Sequence, residues 1–103
     1  PRLCGIEVEQ SKIIACARRG LDVIDYDLNE GLPGFAEDDF DVVVLSATLQ
    51  SIWNTEGLIE ALLRVGRRAI VSFPNFAFRE LREAFARDGR LPKKRGAYGY
   101  EWY

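Results

Sequence analysis

Apolar and polar positions along the chain fall into short continuous runs separated by stretches with helical spacing. The clearest run lies in residues 40–51, FDVVVLSATLQS, where Val42, Val43, Val44 and Leu45 precede polar Ser46, Thr48 and Gln50. A β-branched run without alternation predicts a strand buried on both faces, the kind found inside parallel sheets covered by helices. Residues 3–8, LCGIEV, predict an earlier strand with Glu7 at its carboxyl tip. Residues 21–26, LDVIDY, alternate enough for a strand near an edge, with Asp27 at its tip, and residues 69–73, AIVSF, predict a further short buried strand ending at Pro74.

Three helical patterns lie between and after these runs. Ser11 is placed to cap the first, because its hydroxyl oxygen can accept a backbone N–H of the opening turn. Ile13, Ile14, Cys16 and Ala17 form its predicted buried stripe, and Arg18, Arg19 and Gly20 its end. The second starts at Asn54 or Thr55, buries Leu58, Ile59, Leu62, Leu63 and Val65, and stops at Gly66. Asn75 is placed to cap the third, which carries Phe78, Leu81 and Phe85 on one face and ends at Gly89. Residues 29–39 read as a polar loop punctuated by Gly31, Pro33 and Gly34.

The order β-α-β-loop-β-α-β-α implies right-handed crossovers, a mostly parallel sheet and a single α/β domain over residues 1–103. In open α/β sheets ligands bind beyond the carboxyl ends of the strands, which directs attention to Glu7, Asp27, Ser46, Ala47 and Thr48. A carboxylate at the position of Glu7 suits ribose hydroxyls, or it faces the positive end of the next helix. Asp27 suits an exocyclic amine of a base, or it bonds its own local backbone in a turn. Ser46 is a ligand contact or a plain strand end. Gln50 and Trp53 line the same cleft or open a buried helix.

Composition narrows the chemistry. The chain has 103 residues, 48% apolar and 29% charged, with a net charge of −2, so no strong field favours nucleic acid or a membrane surface. Lys93, Lys94 and Arg95 make the one compact basic run, too short for a nucleic-acid arm. There is no histidine, which removes a Ser-His-Asp triad, most zinc sites and the usual base for a cysteine nucleophile. Cys4 and Cys16 form no C-x-x-C pair and read as small buried hydrophobes. No apolar run approaches the ~18 residues of a membrane span, and a reducing cytoplasm is the expected setting. No metal is expected. A general base is not identifiable; Tyr100 and Glu101 are the conceivable groups. The aromatics between Tyr98 and Tyr103 suit an interface anchor, or they fold back on the sheet, and a homo-oligomer is left open.

Five segments together, GIEVEQ, DYDLNEGL, FDVVVLSATLQSI, LLRVGRRAIVSFPNF and YEWY, resemble the MetW family of methionine biosynthesis proteins. The resemblance covers nearly the whole chain, and the last two segments are its most specific parts. It implies the class I S-adenosylmethionine-dependent methyltransferase-like superfamily: a Rossmann-like, three-layer α/β/α fold, here apparently truncated at both ends. The first strand with its glycine-rich turn is expected upstream, in the middle of the sheet, and the last strands downstream. The resemblance implies that Glu7 binds the ribose of S-adenosylmethionine, that Asp27 and Leu28 lie beside the adenine, and that Ser46 and Ala47 lie near the methionine part. Phe73, Pro74 and Asn75 then stand at a substrate or packing position. This 103-residue stretch alone is expected to bind the cofactor weakly or not at all. Two functions follow from the resemblance: a methyltransferase, or a non-catalytic partner or regulatory subunit of a homoserine O-acyltransferase that keeps the cofactor-binding fold.

Overall fold

The computed structural model describes residues 2–90, which form an α/β arrangement of four short strands and three helices. The tail aromatics, the basic run at Lys93 and the conceivable bases Tyr100 and Glu101 lie outside these residues. Strand β1 (Gly5–Glu7) pairs in parallel with β2 (Val23–Asp25), placing Glu7 opposite Asp25. Helix α1 (Gln10–Arg18) connects them. Strand β3 (Val43–Ser46) pairs in parallel with β4 (Ala69–Ser72), placing Ser46 opposite Ser72, and α2 (Thr55–Val65) makes that connection. Helix α3 (Arg79–Asp88) follows. Both crossover units expected from the alternation of periods are present, but as two two-stranded parallel sheets.

The core lies between α2 and one face of β3 and β4. Leu45, Ile52, Leu58 and Leu62 form its buried cluster, with Leu28, Leu32, Val43, Leu49 and Val71 packed against it. Leu58, Leu62 and Val65 recur at four and three residues, one stripe of a helix, and all three are buried. Leu63, expected in the same stripe, is instead exposed, because it lies about a quarter-turn further round the helix. Leu28 and Leu32 come from the connection between β2 and β3, so this loop contributes side chains to the core. Its far end is tied to α2 by the Arg64 guanidinium, which donates to the Phe35 carbonyl (3.2 Å), and by the N–H groups of Asp38 and Phe40, which donate to the carbonyls of Arg64 and Val65 (both 3.0 Å); within the loop the Phe35 and Phe40 rings meet edge to face at 5.0 Å.

Several expectations are corrected. Residues 42–45 are not buried on both faces: Leu45 is buried and Val43 half-buried, but Val44 is 63% exposed, as is its neighbour Ile70 at 57%. Alternate residues of a strand point to opposite faces, and α2 covers only one of them. No residue of α1 is buried; Ile13 and Cys16 are half-buried while Ile14 and Ala17 are exposed. Cys4 is also only half-buried. Ser11 does not cap α1. The N-cap residue is Glu9, and the Ser11 hydroxyl donates to the Glu9 carboxylate from inside the first turn. Lys12, with its Nζ 2.7 Å from Glu9 Oε2, and then Ser11 hold the Glu9 carboxyl below its usual range. Asn75 likewise caps a turn: its Oδ1 accepts from the Ala77 N–H (3.1 Å), whereas the N-cap of α3 is Phe78.

The helix ends are otherwise as the residues suggest. Gly20 and Gly89 both adopt positive φ, 72° and 63°, the left-handed conformation that glycine takes without a Cβ clash. Asn54 caps α2, with Oδ1 accepting the Gly57 N–H at 3.1 Å. Asn54→Ala leaves that N–H without its partner and is expected to lower stability by about 1 kcal/mol. A urea titration checks this as a lowered midpoint with unchanged slope; an unshifted midpoint would show that the cap is not needed.

Candidate functional site

Parallel pairing brings the carboxyl ends of β1 and β2 together, so Glu7 and Asp27 stand at the same end of one sheet. Glu7 ends β1, and its carbonyl accepts from the Tyr26 N–H (3.2 Å), one residue before Asp27. Each carboxylate is partly committed to its own turn. Glu7 Oε1 accepts from the backbone N–H groups of Val8 (2.8 Å) and Glu9 (3.0 Å). Asp27 Oδ1 accepts from Asn29 N–H (2.8 Å) and so caps the short 3₁₀ turn Leu28–Glu30. In both, the second carboxylate oxygen accepts from none of the described residues. Asp25, at the end of β2, accepts from the Gln10 side chain (2.8 Å) through Oδ2. Leu28 faces the core.

The second pair of tips is built differently. The chain leaves β3 through Ala47, whose φ of 47° is left-handed. For a residue with a Cβ that conformation costs roughly 1–2 kcal/mol and persists only where surrounding bonds fix it. Here they do. Ala47 N–H donates to the carbonyl of Ser72 (3.0 Å) and lies 3.1 Å from its hydroxyl oxygen. The Ser72 hydroxyl in turn donates to Ser46 Oγ (3.4 Å). The Thr48 hydroxyl donates to the Ser46 carbonyl (2.8 Å), and Gln50 Nε2 to the Ala47 carbonyl (2.7 Å). Residues Leu49, Gln50, Thr55, Phe73 and Phe76 enclose a groove of about 290 Å³ beside these tips. The Phe73 and Phe76 rings lie nearly parallel, 9° apart, with centroids separated by 6.3 Å.

The structure thus brings Ser46, Ala47 and Gln50 together, and Glu7 and Asp27 together. Trp53 does not line the groove; its backbone N–H donates to Asn29 Oδ1 (3.3 Å). Ser72 was read only as part of residues 72–75, SFPN, a substrate or packing position, and Phe76 was not singled out. The available signal for Ser72 was its place near the carboxyl end of the strand predicted over residues 69–73. Another groove, lined by Arg2, Leu3, Gly20, Leu21 and Asp22, lies at the amino ends of β1 and β2, away from the strand tips where ligands bind in such sheets.

Comparison with known proteins places this arrangement. The family model described as methionine biosynthesis protein MetW matches residues 2–103. The chain belongs to the MetW family. It is 54% identical over 102 residues, 99% of the chain, to the bifunctional methionine biosynthesis protein MetXA/MetW of Rhodopirellula baltica. The chain spans 16% of the length of that curated relative. No solved structure matches the chain. Among the described residues no helix is long and apolar enough to cross a membrane, and no cluster of three or more His, Cys, Asp or Glu side chains could hold a metal.

Proposed function

We propose that this MetW chain forms part of a cytoplasmic, S-adenosylmethionine-binding domain that works with a homoserine O-acyltransferase in methionine biosynthesis. The observation that carries the partnership is the 54% identical relative, in which a MetW region is joined to MetXA in one polypeptide. Joining two activities raises their effective concentration, an arrangement suited to partners that must meet. For the fold, among the described residues β1 and β3 each have a single strand partner. One further parallel strand between them would unite the two pairs into a Rossmann-like, three-layer sheet.

The residues at the tips fit the cofactor. Glu7 Oε2 and the second oxygen of Asp27 are charged acceptors at the end of the strands where ligands of such sheets bind, and charge-assisted hydrogen bonds are the stronger ones. Glu7 would take the ribose hydroxyls and Asp27 an exocyclic amine, while Leu28 anchors that turn to the core. Ser46 and Ala47 would bound the methionine part. The cofactor would supply a methyl group; the chain's own residues bind and orient it.

A catalytic reading, methyl transfer to a small acceptor, is favoured by the aromatic groove beside Ser46 and Ala47. In that case placement of the two reactants would supply much of the acceleration. Calorimetry on the full-length protein is expected to show cofactor binding that Glu7→Gln weakens about tenfold, or about 1.4 kcal/mol. Adding the protein is expected to change the rate of homoserine O-acylation by its partner enzyme. Absence of cofactor binding in the wild-type protein would defeat the first part, and an unchanged acylation rate the second. Transfer of labelled methyl groups to a component of cell extract separates the catalytic reading from the regulatory one.

A further inference from the structure

The hydroxyls of Ser46 and Ser72 meet at the tips of β3 and β4, and between them they carry one hydrogen more than their own contacts use. The two residues are register partners, each the last of its strand, and both are exposed. Residues two apart share a strand face, so these side chains lie on the face of Val44 and Ile70, which α2 does not cover. Ser72 Oγ lies 3.1 Å from the Ala47 nitrogen and accepts its N–H. The Ser72 hydroxyl donates its own hydrogen to Ser46 Oγ, 3.4 Å away. A serine hydroxyl has one hydrogen and two lone pairs. Ser46 Oγ is thus an acceptor toward Ser72, and its own O–H donates to none of the described residues. The backbone behind it is held rather than loose. Ala47 keeps its left-handed φ of 47° because the Ser72 carbonyl also takes its N–H (3.0 Å) and Gln50 Nε2 holds its carbonyl (2.7 Å). The Thr48 hydroxyl donates to the Ser46 carbonyl at 2.8 Å. A hydroxyl fixed in this way as a donor recognises an acceptor, and a charged one most strongly.

We infer that Ser72 is a positioning residue: it orients the Ser46 hydroxyl as a donor to the carboxylate of a bound α-amino acid group. The inference deepens the cofactor reading above and rests on it. In the methionine part of S-adenosylmethionine the ammonium is a donor and the sulfonium offers no acceptor, so the carboxylate is the group that an outward O–H selects. Ser72 touches the ligand only through Ser46, and the strand register that sets the two side by side does the rest.

The test is calorimetry on the full-length protein with S-adenosylmethionine and with its decarboxylated form, which carries hydrogen in place of the carboxylate. The quantity read is the ratio of the two affinities. The wild-type protein is expected to prefer the carboxylated form by about tenfold or more. Ser46→Ala is expected to lower that preference about fivefold and Ser72→Ala about threefold, each leaving the decarboxylated form bound as before. Ser72→Thr keeps a hydroxyl on a residue suited to strands and is expected to retain the wild-type preference. The double variant is expected to match Ser46→Ala, because Ser72 has nothing to orient once that hydroxyl is gone. A merely structural role for Ser72 would weaken both ligands alike, and an unmoved ratio in Ser72→Ala would overturn the inference. Equal binding of the two ligands by the wild-type protein would also overturn it while leaving the cofactor reading in place. Failure of the wild-type protein to bind either ligand would remove the cofactor reading and the inference together.

Discussion

Leu62→Ala is expected to lower the unfolding free energy by about 2–5 kcal/mol, the cost of removing a large core side chain that its surroundings cannot replace. Leu62 is 3% exposed and lies in the small buried cluster with Leu45, Ile52 and Leu58. With so few buried side chains, no neighbour is free to collapse into the space without uncovering another. The neighbouring Leu63 supplies the control, because it shares the helix and the residue type but is 60% exposed. Leu63→Ala is expected to change stability by no more than about 0.5 kcal/mol. Urea unfolding of both variants in the full-length protein reads the difference as separate midpoints at a common slope. Equal costs at the two positions would mean that the stripe assigned to α2 faces the wrong way.

Gly66→Ala is expected to cost about 1–3 kcal/mol, the range for forcing extra atoms into a packed site. The reason is steric. Gly66 has φ −121° and ψ 135°, an extended conformation open to any residue, so backbone freedom is not what selects glycine here. A Cβ at this position would overlap Val43 Cγ2 and come within 3.2 Å of Val43 Cβ and 3.3 Å of the Arg68 carbonyl oxygen. The chain turns there from α2 into β4 and forms a parallel bridge with Phe40, so neither backbone can withdraw without losing hydrogen bonds. Val43→Ala removes the nearest methyl. The double variant is therefore expected to be less destabilised than the sum of the two single changes, by at least about 0.5 kcal/mol in a double-mutant cycle. Additive costs would show that the space beside Gly66 is not limiting.

Much of the fold was legible because it depends on local period. Leu58, Leu62 and Val65 declare the inner face of α2, Asn54 its cap, and the alternation of strands with helices the parallel pairing. Glu7 and Asp27 could be assigned to one end of a sheet for the same reason, since a parallel crossover must bring successive strand tips to the same side. The membership in the MetW family was legible from motif segments over most of the chain. Cap identity was less so: Ser11 and Asn75 have the right side chains, but Glu9 and Phe78 occupy the positions where the backbone turns into the helix.

Hydrophobic order along the chain, by itself, determined the element types, their sequence and the Leu58, Leu62 and Val65 stripe of α2, because these follow from which side chains avoid water at periods of two and 3.6. It did not determine that Leu63 falls outside that stripe. Only the tertiary structure decided what each apolar face meets. It left Val44 and Ile70 uncovered, engaged one oxygen of Glu7 and of Asp27 in local turns, and set Gln50 beside Phe73 and Phe76, more than twenty residues away. Burial and hydrogen-bond saturation belong to pairs of distant groups, and a run of residues specifies its own polarity but not the partner that will cover it.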